Sequence, residues 1–250
     1  MAYRASQDGR TVWRVVHKLN DCGSAHASLY RQGLGEFFLD DLWQYEAAVV
    51  VLAPPTQAHL RAVLIDNAAV ARLDTPAYSM VAYPWSQRYQ QSNQWALETI
   101  ALAEDPAAAT RERAQAWLRL HGYEPTTLHL SAFKRLGARV ASANVAFDDH
   151  PNEKRFADRI ETVTVDSVFR WLERDGLGGS VPKQTIDHRC FGELSSLAEN
   201  CGDIGDELGL QPPDHREIRQ NRQPSKRAGR KRQRARDRGC LQRSLLAQFA

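Results

Sequence analysis

The stretch Tyr83–Glu98, reading Tyr-Pro-Trp-Ser-Gln-Arg-Tyr-Gln-Gln-Ser-Asn-Gln-Trp-Ala-Leu-Glu, constrains the fold more than any other part of the chain. It opens on a proline-aromatic turn, runs through polar residues, and passes into apolar positions at Trp95, Leu97, Ile100 and Leu102. That order predicts a loop feeding a buried helix, with Ser92 at the helix start. A helix start carries unpaired N–H groups and the positive end of the dipole, which stabilise a thiolate or an oxyanion. Ser92 therefore has two readings. It is either the cap of the helix, the commoner role of serine there, or the reacting group of a site.

Composition narrows the class. The 250 residues suffice for one large or two small domains, and 42% hydrophobic with 25% charged residues is ordinary for a globular chain. No run approaches the ~18 apolar residues of a membrane span. Met1 leads into Tyr3, Arg4 and Asp8 with no apolar signal segment, so the chain as given would remain cytoplasmic. Cys22, Cys190, Cys201 and Cys240 lack paired metal-type spacing, and no cofactor is expected. The net charge of +3 hides a split: Arg222–Arg243 holds ten basic residues and one acid, leaving 23 basic against 29 acidic elsewhere.

Taken in order, Val12–Val16 reads as a strand ending at His17, and Ser24 as the cap of a helix reaching Phe38. Tyr45–Leu52 reads as a buried strand, stopped by Pro54-Pro55, which start an amphipathic helix. Tyr78–Tyr83 is expected to be extended. A helix follows over Ala107–His121, then a strand over Thr126–Leu130, a short element within Phe133–Phe147, and a strand over Glu161–Val165. Asp166 is expected to cap a last helix that Gly176, Gly178 and Gly179 end. Residues 1–179 read as the globular domain and 180–250 as a basic, disordered tail.

The segments Trp13-Arg-Val-Val-His-Lys-Leu-Asn-Asp-Cys-Gly, Gly33-Leu-Gly-Glu-Phe-Phe-Leu-Asp-Asp, Tyr83-Pro-Trp-Ser-Gln-Arg-Tyr-Gln and Ser142-Ala-Asn-Val-Ala-Phe-Asp-Asp-His-Pro, in that order, resemble a bacterial family, the domain of unknown function 2145. The resemblance spans Trp13–Arg174, and its members resemble exported or envelope-associated proteins. Within it, Tyr83–Glu98 is similar to the nucleophile helix of circularly permuted papain-like (NlpC-type) folds. There an Asn-Cys pair opens the helix and Asn/Gln-Trp follows; here Gln91-Ser92 is followed by Asn93-Gln94-Trp95. Serine stands where the resemblance implies cysteine, and Met1-Ala-Tyr-Arg looks like the residues just after the Ser-His that would supply the base.

The resemblance implies an α+β (or α/β) fold: a papain-like helix packed on a small, mostly antiparallel sheet. It implies a hydrolase scaffold whose amide- or ester-cleaving activity is lost or degenerate. A non-catalytic envelope binding or scaffold module is the alternative. Ser92 with His17 is the candidate catalytic pair, and Tyr89, Asn93, Gln94, Trp95, Asn144, Asp149 and His150 are the candidate groove and support residues. Cys22 is a second candidate nucleophile, and Asp148-Asp149-His150 carries ligand-type side chains but no distant third ligand, so no metal is expected. A third reading is nucleic-acid binding by the arginine-rich tail through phosphate contacts, without aromatic stacking. That tail also resembles an out-of-frame translation of GC-rich DNA.

Overall fold

The computed structural model describes residues 1–21, 23–38 and 46–185. Cys22, Cys190, Cys201, Cys240, Trp43 and the Arg222–Arg243 stretch lie outside the described residues. The fold is α+β, and among the described residues it is built from helices and three small antiparallel sheets.

Strands β1 (Ala2–Gln7), β2 (Arg10–Asn20) and β3 (Ala27–Gly33) form the first sheet in sequence order. Asp8-Gly9 joins β1 to β2 with φ of 50° and 76°, the left-handed pair that a two-residue hairpin turn requires. The expected helix from Ser24 to Phe38 is corrected here: only α1 (Leu34–Phe38) is helical. Ser24 does not cap a helix; its hydroxyl donates to the Asp21 carbonyl and accepts from the His26 N–H, closing the β2–β3 turn. Pairing of Ala27–Gly33 with β2 outweighs the weak helical tendency of this glycine-containing segment.

Strand β4 (Glu46–Leu52) precedes α2 (Pro54–Ile65) and α3 (Asn67–Ala71). The Tyr78–Tyr83 segment, expected to be extended, is irregular with one turn at Met80-Val81, and one bridge, His26 to Ala77, lies ahead of it. Then come α4 (Ser92–Glu104), α5 (Arg111–Leu120), β5 (Thr126–His129), α6 (Ala132–Ala141), α7 (Asn152–Phe156), β6 (Arg159–Thr162), α8 (Val165–Arg174) and β7 (Gly178–Thr185). Strand β5 pairs with β6, and β4 with β7. Thr164, not Asp166, caps α8, exchanging hydrogen bonds with Ser167 in a capping box. Gly176, at φ 70°, ends α8, yet the chain then continues as a strand to Thr185, beyond the expected boundary at 179.

Helix α4 is the axle of the molecule. Trp95, Leu97, Ile100, Ala101, Leu102 and Ala103 are buried together with Ser92, Gln94, Glu98 and Thr99, so the helix is enclosed on nearly every side. Its apolar residues share one core with Val16 of β2, Leu60 and Leu64 of α2, Ala114 and Leu118 of α5, and Val168 and Trp171 of α8. Burying large side chains here supplies the main driving force for the fold. Trp95→Ala is expected to cost ~3–5 kcal/mol in urea unfolding, against less than ~0.5 kcal/mol for Leu120→Ser, whose side chain faces solvent.

Candidate functional site

The loop ahead of α4 is fixed before Ser92 is reached. Arg111, at the start of α5, donates from Nε and Nη2 to both oxygens of Glu98 in α4, at 2.8 and 3.2 Å. The same guanidinium donates to the carbonyls of Gln87 (3.0 Å), Ser86 (3.2 Å) and Tyr89 (3.1 Å), and to the Thr75 hydroxyl at 3.2 Å. Glu98 also accepts from Gln90 at 2.6 Å and Gln115 at 2.7 Å. Both ions are buried, and a planar fork with several donors is the group that can bind a carboxylate and neighbouring carbonyls at once.

Lys18 of β2 joins this network from the sheet. Its ammonium is fully buried and donates to Asp74, to the Thr75 carbonyl at 2.7 Å and to Gln90 at 3.0 Å. Burial pushes its pKa down, and the Asp74 carboxylate opposes that shift. Gln90 thus touches Lys18, Glu98 and the Leu73 carbonyl, linking β2, the 73–90 loop and α4.

Ser92 is the first residue of α4, and Gln91 is the cap: its side-chain oxygen accepts from the Asn93 N–H. The Gln91 amide nitrogen also reaches the Val163 carbonyl and the Thr162 hydroxyl. The Ser92 hydroxyl donates to the main-chain carbonyl of Lys18 at 2.8 Å. That carbonyl is the next on the strand edge after Val16, whose own carbonyl accepts from Met1 at 2.8 Å. The hydroxyl of Tyr78, buried nearby, is raised in pKa by burial and partly restored by its hydrogen bond with Ser92.

His17 lies on the other face of β2. Successive residues of a strand point to opposite sides. Accordingly Val16 and Lys18 face α4, while Val15 packs on Phe37 and the His17 ring meets Phe37 edge-on, 5.1 Å between centroids. His17 Nε2 is 3.1 Å from the Gln32 side-chain oxygen, and its Nδ1 is buried without a hydrogen-bond partner. The structure does not bring His17 and Ser92 together in a hydrogen bond: the serine proton goes to Lys18 O.

The other candidates form supports around the loop. His150 Nδ1 is 2.9 Å from Asp149 and its Nε2 is 3.0 Å from the Glu161 carbonyl, while the second Asp149 oxygen accepts from the Tyr83 N–H at 2.8 Å. Asp148 pairs with Arg88 at 2.9 Å and meets the Tyr89 hydroxyl, whose pKa is raised by burial and by that carboxylate. Asp149 and His150 are thus bonded to each other while Asp148 turns away to Arg88 and Tyr89, and among the described residues no three His, Cys, Asp or Glu gather as a metal site.

Asn144 donates to Asn20 at 2.9 Å, and Asn20 holds the Ser24 and His26 carbonyls of the β2–β3 turn. Asn93 reaches the Val163 carbonyl at 3.4 Å, and Gln94 the Pro84 carbonyl at 3.1 Å. Trp95 is a core residue, its ring N–H 3.4 Å from the Val70 carbonyl. A cavity of about 300 Å³ opens elsewhere, between Val16, Leu29, Arg31, Asn67 and Val70, and none of the candidate residues lines it.

The class this architecture defines is an α+β protein whose central buried helix starts against a strand edge, with a buried ion network fixing the preceding loop. The chain belongs to a bacterial family described as "Uncharacterized protein conserved in bacteria (DUF2145)", whose model matches residues 1–172. No curated protein and no solved structure gives a match. No helix among the described residues is long and apolar enough to cross a membrane.

His17 makes the stability of the fold depend on pH. Burial, the largest influence, lowers its pKa below the ordinary 6.5 despite the Gln32 hydrogen bond. As pH falls the unfolded chain takes up this proton first, so the associated stability is complete above 6.5 and is lost as pH falls toward the lowered folded value. The difference in urea midpoint between wild type and His17→Asn is expected to shrink from pH 7.5 to pH 5. A difference that stays constant or widens contradicts the assignment.

Proposed function

We propose that this protein is a catalytically silent relative of papain-like hydrolases, serving in the bacterial cell envelope as a binding or scaffold module. The observation that carries this reading is the Ser92 hydroxyl, which occupies the reacting position implied by the resemblance yet is buried and donates to Lys18 O at 2.8 Å. A nucleophile needs a base to accept its proton, and here the proton is committed to a main-chain carbonyl that cannot carry it away. Serine also lacks the thiolate character that lets cysteine react at a helix start. The helix N-terminus supports the ancestral part of the reading, since its N–H groups are the kind of donors an oxyanion uses. In this chain Gln91 takes the Asn93 N–H with its own side chain.

The envelope role rests on the resemblance to exported proteins and on the fit of a rigid, silent site to binding.

Exposure of the full chain to a fluorophosphonate probe tests the silence of Ser92. The expected result is equal, background labelling of wild type and Ser92→Ala, and Ser92→Cys alkylated no faster than an ordinary buried thiol. Near-stoichiometric labelling that disappears in Ser92→Ala would overturn the reading.

A further inference from the structure

Helix α6, Ala132–Ala141, contributes no buried residue. Phe133, Leu136 and Val140 are 85%, 62% and 81% exposed. At about 100° per residue, positions spaced by three and seven fall on one stripe. This stripe points away from the protein: on the opposite side Arg135 is half-buried, pairing with Asp158 at 2.7 Å and donating to the Leu130 carbonyl. The same ion pair ties α6 to the end of α7, where Phe156 is 73% exposed two residues before Asp158.

The charges on α6 decide what fits this stripe. Lys134 and Arg139, both exposed, lie about 100° and 60° round the helix from the two edges of the stripe, and residues 131–142 include no acid. A second copy packing its own α6 stripe face to face on this one would set these cations against their own kind, which is destabilising at close range. A bilayer carrying anionic headgroups meets both requirements, taking Phe133, Leu136 and Val140 below the headgroups while Lys134 and Arg139 reach up to the phosphates.

We propose that α6 is an interfacial anchor that lies along an anionic lipid surface, with Phe133, Leu136 and Val140 inserted and Lys134 and Arg139 on lipid phosphates. The inference is independent of whether Ser92 is silent. It gives the protein a fixed face toward a membrane without a spanning helix.

The test uses the full chain with vesicles of 30% phosphatidylglycerol in phosphatidylcholine, with phosphatidylcholine vesicles as control. Because Arg222–Arg243 can also attract anionic lipid, co-sedimentation is paired with amide hydrogen exchange read at α6. Anionic vesicles are expected to slow exchange across Ala132–Ala141, and Phe133→Ser/Leu136→Ser/Val140→Ser to weaken binding about 10-fold or more. That variant replaces only exposed side chains, so its circular dichroism and urea midpoint should match wild type. Equal binding by variant and wild type with unchanged α6 exchange overturns the proposal in favour of the arginine-rich stretch alone. So does lipid-free dimerisation abolished by the variant, which assigns the stripe to a second copy. Strong α6 protection without lipid assigns it to the chain's own remaining residues.

Discussion

The buried pair of Glu98 and Arg111 is the constraint on which the rest of the structure depends. Removing two ions from water is costly, and the cost is offset only where geometry is good and every remaining donor and acceptor is met. Here the carboxylate accepts four hydrogen bonds, and the guanidinium distributes its donors between Glu98, Thr75 and the carbonyls of Ser86, Gln87 and Tyr89. The loop is therefore wound onto a cation held by the central helix. A loop with this many main-chain groups under cover would otherwise leave them unpaired.

From that clamp the position of Ser92 follows. Gln90, held by Glu98 and Lys18, and Gln91, held by the 162–163 segment, place the next residue at the strand edge. Segments far apart in sequence, around Asn20, Ser79 to Tyr83, and Asn144 to His150, close around the same loop through Asn20–Asn144, Ser79–Ala146 and Tyr83–Asp149 bonds. The residues that carry the family resemblance are thus largely a mutual support structure. Its product is a Ser92 hydroxyl held against the Lys18 carbonyl at 2.8 Å.

Much of this was legible where local patterns decide. The apolar run after Ser92, the Pro54-Pro55 helix start and the Tyr45–Leu52 strand signal are short-range properties, and α4, α2 and β4 follow them, although β4 is mostly half-buried rather than buried, with Val51 51% exposed. Strand β3 was hidden because Ser24 offers a helix cap in a segment whose helical reading Gly33 and Gly35 only weaken, and its pairing partners lie on β2. The Asp8-Gly9 dipeptide is a readable hairpin signal, since it supplies the two left-handed residues that the turn needs. Arg111 and Lys18 were beyond local reading: a cation on a helix or strand looks solvated until a distant carboxylate and carbonyls close over it. Alternation along Val16, His17 and Lys18 could have warned that His17 and Lys18 face opposite sides.

The most direct measurement is amide hydrogen exchange in Arg111→Lys, which keeps the charge beside Glu98 but loses the fork that holds the loop carbonyls. The account predicts that exchange at Ser86, Arg88 and Gln90 quickens by about ten- to a hundred-fold, while amides paired between β2 and β3 keep their protection. Loop amides that exchange as slowly in Arg111→Lys as in wild type would contradict it, because the loop would then be ordered without the clamp.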